Sequence, residues 1–147
     1  MLKQSYKVEQ TFALIKPNVT TNEKIEEILK KINNAEFKVI MSKKFLFDDA
    51  FVEHFYGEHK HQPWFENLRV SMMSGQCMGL VLERENAINE WRKLIGPTNV
   101  QVAKRDFPQS LRALYGDEHN TAKNAFHGSD SETSAKREIA FFVRGSE

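Results

Sequence analysis

Short apolar runs alternate with amphipathic stretches along this chain, and a punctuating residue stops each one. That alternation limits the possible folds more than any other feature. Gln10-Thr11-Phe12-Ala13-Leu14-Ile15 is halted by Lys16-Pro17, and a residue before proline is driven toward extended geometry, so a buried strand ending at Lys16 is predicted. Ile25, Ile28, Leu29 and Ile32 then recur at i, i+3, i+4 and i+7, with Thr20 and Glu23 spaced as a capping box in front of them, which predicts an amphipathic helix. Phe37, Val39, Met41, Phe45 and Phe47 hold odd positions with Lys38, Lys43 and Lys44 among the residues between them. That period of two marks a half-buried strand.

Asp48 or Asp49 can cap a helix carrying Phe51, Val52, Phe55 and Tyr56. Gln62-Pro63 starts another, with Trp64, Phe65, Leu68, Ser71 and Met72 on its inner face. Cys77 to Leu82 reads as a third strand, followed by a helix through Ile88, Trp91, Leu94 and Ile95 that ends at Gly96-Pro97. From Thr98 to Phe126 the periodicity fades, which predicts a long polar loop with one helical turn near Ser110 to Tyr115. A brief strand at Ala125-Phe126-His127 and a helix from Ser131 to Phe142, with Ala135, Ile139 and Phe142 inward, complete the order. This succession fits an α/β (α+β) ferredoxin-like βαββαβ sandwich, a four-stranded antiparallel sheet covered by helices. A doubly wound parallel sheet ranks second, and periodicity alone does not separate the two.

Length and composition narrow the class further. With 147 residues, one domain over 1–147 is expected, and it is long enough to build a full core without staples. One cysteine, Cys77, rules out a disulfide framework and suits a reducing compartment. Twenty-one Lys and Arg against 20 Asp and Glu leave a net charge of +1, which argues against nucleic acid or an anionic membrane as the main partner. No apolar run approaches the roughly 18 residues that span a bilayer. Met1 to Gln10 carries no secretory signal and no Arg, so a cytoplasmic location is expected; a mitochondrial one stays open.

Neither GxxxxGK[ST] nor GxGxxG occurs, so a phosphate would have to be held by other means. The segment His127-Gly128-Ser129-Asp130-Ser131 places an imidazole just before three capping-type residues at a helix start, where backbone N–H groups and the helix dipole favour an anion. Glu138, seven residues after Ser131 and two turns along that helix, is able to turn back toward His127. A carboxylate on one ring nitrogen would fix the tautomer and leave the other as nucleophile or base. The plainer reading, a simple cap beside a strand-end histidine, remains open on spacing alone. Arg92, Lys104, Arg105 and Arg112 are cations able to converge on a phosphate, and Lys16 sits at the end of a buried strand where a cleft would receive it. His54, His59 and His61 with Glu53 and Glu58 lack HExxH and any nearby Cys, so they read as surface or packing groups rather than a metal site.

Taken in order, Phe12-Ala13-Leu14-Ile15-Lys16-Pro17, the Tyr56 to Phe65 stretch, Arg92 with Gly96-Pro97-Thr98-Asn99, Arg112, and Asn124 through Ser131 resemble the nucleoside diphosphate kinase family. The resemblance implies a ferredoxin-like fold and a ping-pong transfer of the γ-phosphate of a nucleoside triphosphate to a nucleoside diphosphate through a phosphohistidine. Carried over by motif, His127 is the nucleophile, with Glu138 orienting it and Ser129 beside that carboxylate. Lys16, Tyr56, Arg92, Thr98, Arg112 and Asn124 match the family's phosphate and ribose contacts, Lys16 also serving catalysis. Trp64 matches its aromatic platform for the base. Mg²⁺ arrives on the nucleotide, with Asp130 touching its water shell at most. A homo-oligomer is the implied assembly.

Four departures accompany the resemblance. Asn18 stands where Asp is usual, Ala113 where Gly is usual, and the stretch from Thr98 to Arg112 is a few residues longer, as in a divergent branch; the usual C-terminal extension is also missing. The alternative they raise is a weakly active or inactive nucleotide-binding or scaffold module of the same fold.

Overall fold

The computed structural model describes residues 6–144. The expectations resting on Met1–Ser5 and on the stop at Glu147 lie outside the described residues. Four strands, β1 (Val8–Ile15), β2 (Lys38–Leu46), β3 (Gln76–Glu85) and β4 (Phe126–Gly128), form one sheet in the order β2-β3-β1-β4. Every neighbouring pair is antiparallel, with Phe12 opposite Val81 and Leu14 opposite His127. The four-stranded antiparallel sandwich is therefore the architecture, and the doubly wound parallel alternative falls.

Strand side chains alternate between faces, and β1 shows why its sequence is almost wholly apolar: helices cover it on both sides. Ala13 and Ile15 join Leu80 and Leu82 in a cluster closed by α1 (Asn22–Asn34) and α4 (Ala87–Ile95) through Ile28, Ile32, Trp91 and Ile95. Phe12 and Leu14 face the other way. They pack with Val81 against α2 (Asp49–Tyr56), α3 (Phe65–Met72) and α7 (Glu132–Arg144) through Val52, Phe55, Leu68, Met72 and Phe142. Rings dominate that second layer: Phe12 lies 5.4 Å from Phe55 and 5.1 Å from Phe142 between centroids.

Several local expectations shift by a residue or by an element. The cap of α1 is Thr21, which accepts from the Lys24 amide, while Thr20 donates to the carbonyls of Pro17 and Gln76; the capping box is thus off by one position. A bulge between Val39 and Met41 breaks the strict alternation of β2, and Val39 is 40% exposed. Trp64 is not on an inner face: it precedes the first helical residue of α3 and is 46% exposed.

The largest correction lies between Thr98 and Phe126, where a loop was expected. Residues Val100–Asp106 form a helix, α5, capped by Asn99, which accepts from the Val102 amide, and α6 (Leu111–Tyr115) supplies the anticipated turn behind its cap Ser110. Short helices bury too few apolar positions to leave a visible period, so the cap residues were the only signal. Ala125, expected in β4, instead precedes it with a left-handed φ of 75°.

Candidate active site

β4 and the start of α7 are fixed against β1 by one side chain. The Ser129 hydroxyl accepts from the Phe12 amide (3.2 Å) and donates to Glu138 Oε1 (2.9 Å), and the Ser129 amide donates to the Phe12 carbonyl (3.3 Å). The same Glu138 oxygen lies 2.9 Å from His127 Nε2. Glu138 is buried, and Arg137 stands 3.9 Å from its other oxygen. A carboxylate can only accept, so Nε2 carries the ring proton and Nδ1 holds the lone pair. The ring is packed by Phe12, Phe55 and Tyr56 at centroid distances of 6.2, 5.8 and 6.1 Å. Its carbonyl accepts from Trp91 Nε1 (3.1 Å), and at Gly128 a Cβ would meet the Trp91 ring at 2.5 Å, so only glycine fits beside that indole.

The two amides just ahead of α7, those of Asp130 and Ser131, are already engaged within the chain. Ser134 Oγ accepts from the Asp130 amide (3.1 Å) and the Ser131 amide (3.0 Å), and donates to Asp130 Oδ1 (2.7 Å). That last bond holds the Asp130 carboxyl below its ordinary range. The side chains that the sequence offers as phosphate contacts lie elsewhere.

Those side chains converge from four elements. Lys16 follows β1 and its amide donates to the carbonyl of left-handed Ala125 (2.7 Å), which places the strained residue at the join of two strands beside the site. Lys16 is 5% exposed, and burial, assisted by the Arg112 charge, pushes its ammonium down to about 7. Arg112 projects from α6 and is clamped by two carbonyls, Gly96 (2.7 Å from Nη1) and Phe126 (2.8 Å from Nη2). Burial brings its guanidinium down to about 10, with Arg92 adding to the effect. Arg92, exposed near the end of α4, thus acts on both Arg112 and Asp130. Asn124 Nδ2 donates to the Thr98 carbonyl (3.1 Å), so Thr98 enters the arrangement through its backbone.

Three of these groups keep a buried polar atom without a hydrogen-bond partner: Tyr56 Oη, Arg112 Nε and Asn124 Oδ1. Native proteins leave few such atoms, because each costs about 1–3 kcal/mol. Burial also drives the Tyr56 phenol upward, so it remains a neutral donor. Cys77 lies behind the same wall, and burial raises its thiol to about 12, so it is inert as a nucleophile.

Other sequence candidates do not join. Lys104 and Arg105 lie on the exposed side of α5, where Arg105 pairs with its neighbour Asp106 at 2.9 Å. The His54 ring stacks on Phe141 at 3.9 Å between centroids. Among the described residues there is no group of three His, Cys, Asp or Glu able to hold a metal ion, and no helix long and apolar enough to cross a membrane.

Known proteins share the sequence and the fold of this chain. The family model described as nucleoside diphosphate kinase matches residues 9–147. A nucleoside diphosphate kinase of Haemophilus ducreyi is 42% identical over 135 residues, covering 92% of this chain and 94% of that protein. A thioredoxin domain-containing protein 3 homolog of Heliocidaris crassispina is 41% identical over 135 residues and covers 92% of this chain. The chain spans only 16% of that longer relative. Among solved structures, a halophilic nucleoside diphosphate kinase of Halobacterium salinarum in complex with CDP superposes with a TM-score of 0.83 at 29% identity, covering 92% of this chain and 88% of the other. The chain belongs to the nucleoside diphosphate kinase family.

Proposed function

We propose that the chain transfers the γ-phosphate of a nucleoside triphosphate to a nucleoside diphosphate in two half-reactions through a phosphohistidine on His127. The observation that carries this reading is the pairing of a tautomer-locked imidazole with a wall of three unpartnered buried polar atoms, Tyr56 Oη, Arg112 Nε and Asn124 Oδ1. The first feature supplies a nucleophile; the second supplies two donors for phosphate oxygens, Tyr56 Oη and Arg112 Nε, and one acceptor, Asn124 Oδ1, for a ligand hydroxyl, which the protein alone leaves incomplete.

In the first half-reaction the Nδ1 lone pair forms a bond to the γ-phosphorus as the bond from that phosphorus to the bridging oxygen breaks, and the electron pair leaves on the diphosphate. Glu138 keeps its hydrogen bond to Nε2–H throughout and balances the charge that the ring gains, while Ser129 holds the carboxylate in place. Lys16, Arg92 and Arg112 neutralise the equatorial and leaving oxygens, which is most of what phosphoryl transfer asks of a protein. In the second half-reaction a terminal oxygen of the acceptor diphosphate takes the phosphoryl group from Nδ1 and restores the free ring. Asn124 and Thr98 face the ribose and phosphate end, and Trp64 offers a platform for the base.

The donor set fits a magnesium ion carried by the nucleotide rather than a protein cage, since among the described residues no group of three His, Cys, Asp or Glu could hold a metal ion and Ser134 already engages Asp130 Oδ1. Mg²⁺, when bound, would shield charge on the phosphates while Asp130 reaches only its water shell. Self-association is the proposed assembly. Among the described residues no strand pairs with the outer side of β2, and Ile40 and Leu46 of that strand are exposed, an edge of the kind that pairs with a second copy. Light scattering of the purified chain tests this.

Initial-rate kinetics test the transfer itself. Varying ATP at several fixed levels of a second diphosphate is expected to give parallel double-reciprocal lines; intersecting lines would mean a ternary complex and would remove the phosphoenzyme. ATP binding with no conversion at all would favour the scaffold reading.

A further inference from the structure

Lys16 is fixed through both ends of its backbone: its amide donates to the Ala125 carbonyl (2.7 Å) and its carbonyl accepts from the Val19 amide (3.1 Å). Its side chain meets a partly open cavity of about 90 Å³ between the turn Pro17–Val19, the end of α3 and the turn Thr121–Lys123. Asn18, Ser71, Ser74 and Lys123 share that lining. Ser74 Oγ donates to the Ser71 carbonyl (2.7 Å) and Asn18 Nδ2 to the Lys123 carbonyl (3.1 Å), whereas Asn18 Oδ1 is buried with no partner. Among the described residues no carboxylate lines this cavity or acts on the Lys16 amine; the charged side chain that does act on it is another cation, Arg112. A lysine ordinarily keeps its proton by pairing with an acid or by standing in water, and Lys16 does neither.

We infer that Lys16 is a carbamylation site for carbon dioxide, and that the carbamate and the nucleotide phosphates exclude one another at this side chain. The second half rests on the nucleotide-transfer reading above; the first half does not. In the step, the Nζ lone pair forms a bond to the carbon of CO₂ while one C=O π pair withdraws onto oxygen, and Nζ releases one proton to water. The product is a carbamate with one negative charge, and return of the proton to nitrogen with loss of CO₂ reverses it. The neutral amine is the reactive form, and burial holds Lys16 near 7 where an ordinary lysine stands at 10.5. One water needs about 10–15 Å³ of such space, so the cavity takes the three heavy atoms of CO₂. Arg112, whose Nε–H has no partner, and Lys123 set positive charge beside the new carboxylate, and Asn18 Oδ1 is an acceptor of the kind a carbamate N–H needs. A triphosphate works in the opposite sense: it holds the proton on Nζ, and an ammonium has no lone pair to offer CO₂.

Chemical trapping tests this on the full chain. The nucleotide-free protein is equilibrated near neutral pH with carbon-13-labelled bicarbonate, ethylated with triethyloxonium to fix any carbamate, and mapped by peptide mass spectrometry. Labelled ethyl carbamate is expected on Lys16 at about ten times or more the level on any other lysine. Saturating ADP should lower it about tenfold. Lys123→Glu, which keeps Lys16 and sets an anion in the cavity, should lower it by a similar factor, about tenfold. Lys16→Arg should leave its peptide unlabelled. Label spread evenly over exposed lysines, label on Lys16 that ADP does not displace, or label unchanged in Lys123→Glu would each overturn the inference. Diphosphate conversion by a chain that traps nothing on Lys16 overturns it and leaves the transfer reading intact. Trapping on Lys16 by a chain that converts no diphosphate supports the carbamylation site and removes the transfer reading.

Discussion

The two halves of the candidate site are built on opposite terms. On the α7 side the polar atoms of His127, Ser129 and Glu138 that point at one another are paired: Glu138 Oε1 takes both the imidazole and the hydroxyl, and the same hydroxyl accepts from β1. On the facing wall Tyr56, Arg112 and Asn124 each retain a buried atom with no partner, and Lys16 is buried beside Arg112 with its ammonium pushed down to about 7. In the proposed reaction the nucleophile is finished before any ligand arrives, whereas the facing wall is finished only by the ligand. Preorganisation would remove reorganisation from the chemical step, and the unfilled donors would take phosphate oxygens while the unfilled Asn124 acceptor would take a hydroxyl.

Arg112→Ala tests the wall most severely. It removes a phosphate contact and also frees the carbonyls of Gly96 and Phe126, so kcat/KM is expected to fall on the order of a thousandfold. The unfolding free energy should drop by about 3 kcal/mol in a denaturant titration. Glu138→Gln tests the other side. The shape is kept and the charge is lost, so kcat should fall about a hundredfold in steady-state assays while KM stays within about twofold; an unchanged kcat would mean that the carboxylate does not orient the ring.

A pair of smaller changes sharpens the contrast between the halves. Tyr56→Phe deletes an unpaired hydroxyl, so without nucleotide the protein should be as stable as wild type or up to about 1 kcal/mol more stable, while kcat/KM falls about tenfold. Ser129→Ala deletes a hydroxyl with two partners and should cost about 1–2 kcal/mol. If both variants lose stability equally in thermal or chemical melts, the distinction between the halves is wrong.

Lys16 gives the pH signature. Its folded-state value near 7 lies below the ordinary 10.5, so between those two pH values the unfolded chain binds more protons than the folded one. Stability of the nucleotide-free protein should accordingly rise as pH rises from about 7 toward about 10.5, once the other groups are accounted for by a Lys16→Met control. A bound triphosphate restores the ammonium, so calorimetry at pH 8 in two buffers of different ionisation enthalpy should show uptake approaching about one proton. No uptake would place the lysine away from the phosphates.

How far the sequence disclosed all this depended on the length scale of each signal. β1, α1 and α4 are long enough for period and punctuation to identify them, and Lys16-Pro17 located the strand end that brings the lysine to the site. Glu138 was legible because two helical turns from Ser131 returned it toward His127. α5 was not, since seven residues with two buried positions show no period, and its Asn99 cap was the single cue. The Ser134 contacts that satisfy the start of α7 were also missed, because a serine inside a helix gives no sign of which amide it will serve. Trp64 departs from its sequence reading for the reverse reason: its spacing fits an inward helical position, yet it stands before the first residue of α3 and is 46% exposed.

In the proposed reaction His127 carries the phosphoryl group between donor and acceptor, and labelling reads this directly. Incubation with γ-labelled ATP followed by denaturation without acid should give one acid-labile label per chain on His127, which an unlabelled nucleoside diphosphate discharges quantitatively as the labelled triphosphate. His127→Ala should take up no label and convert no diphosphate. Acid-labile label on that variant, or full conversion by it, would contradict the claim.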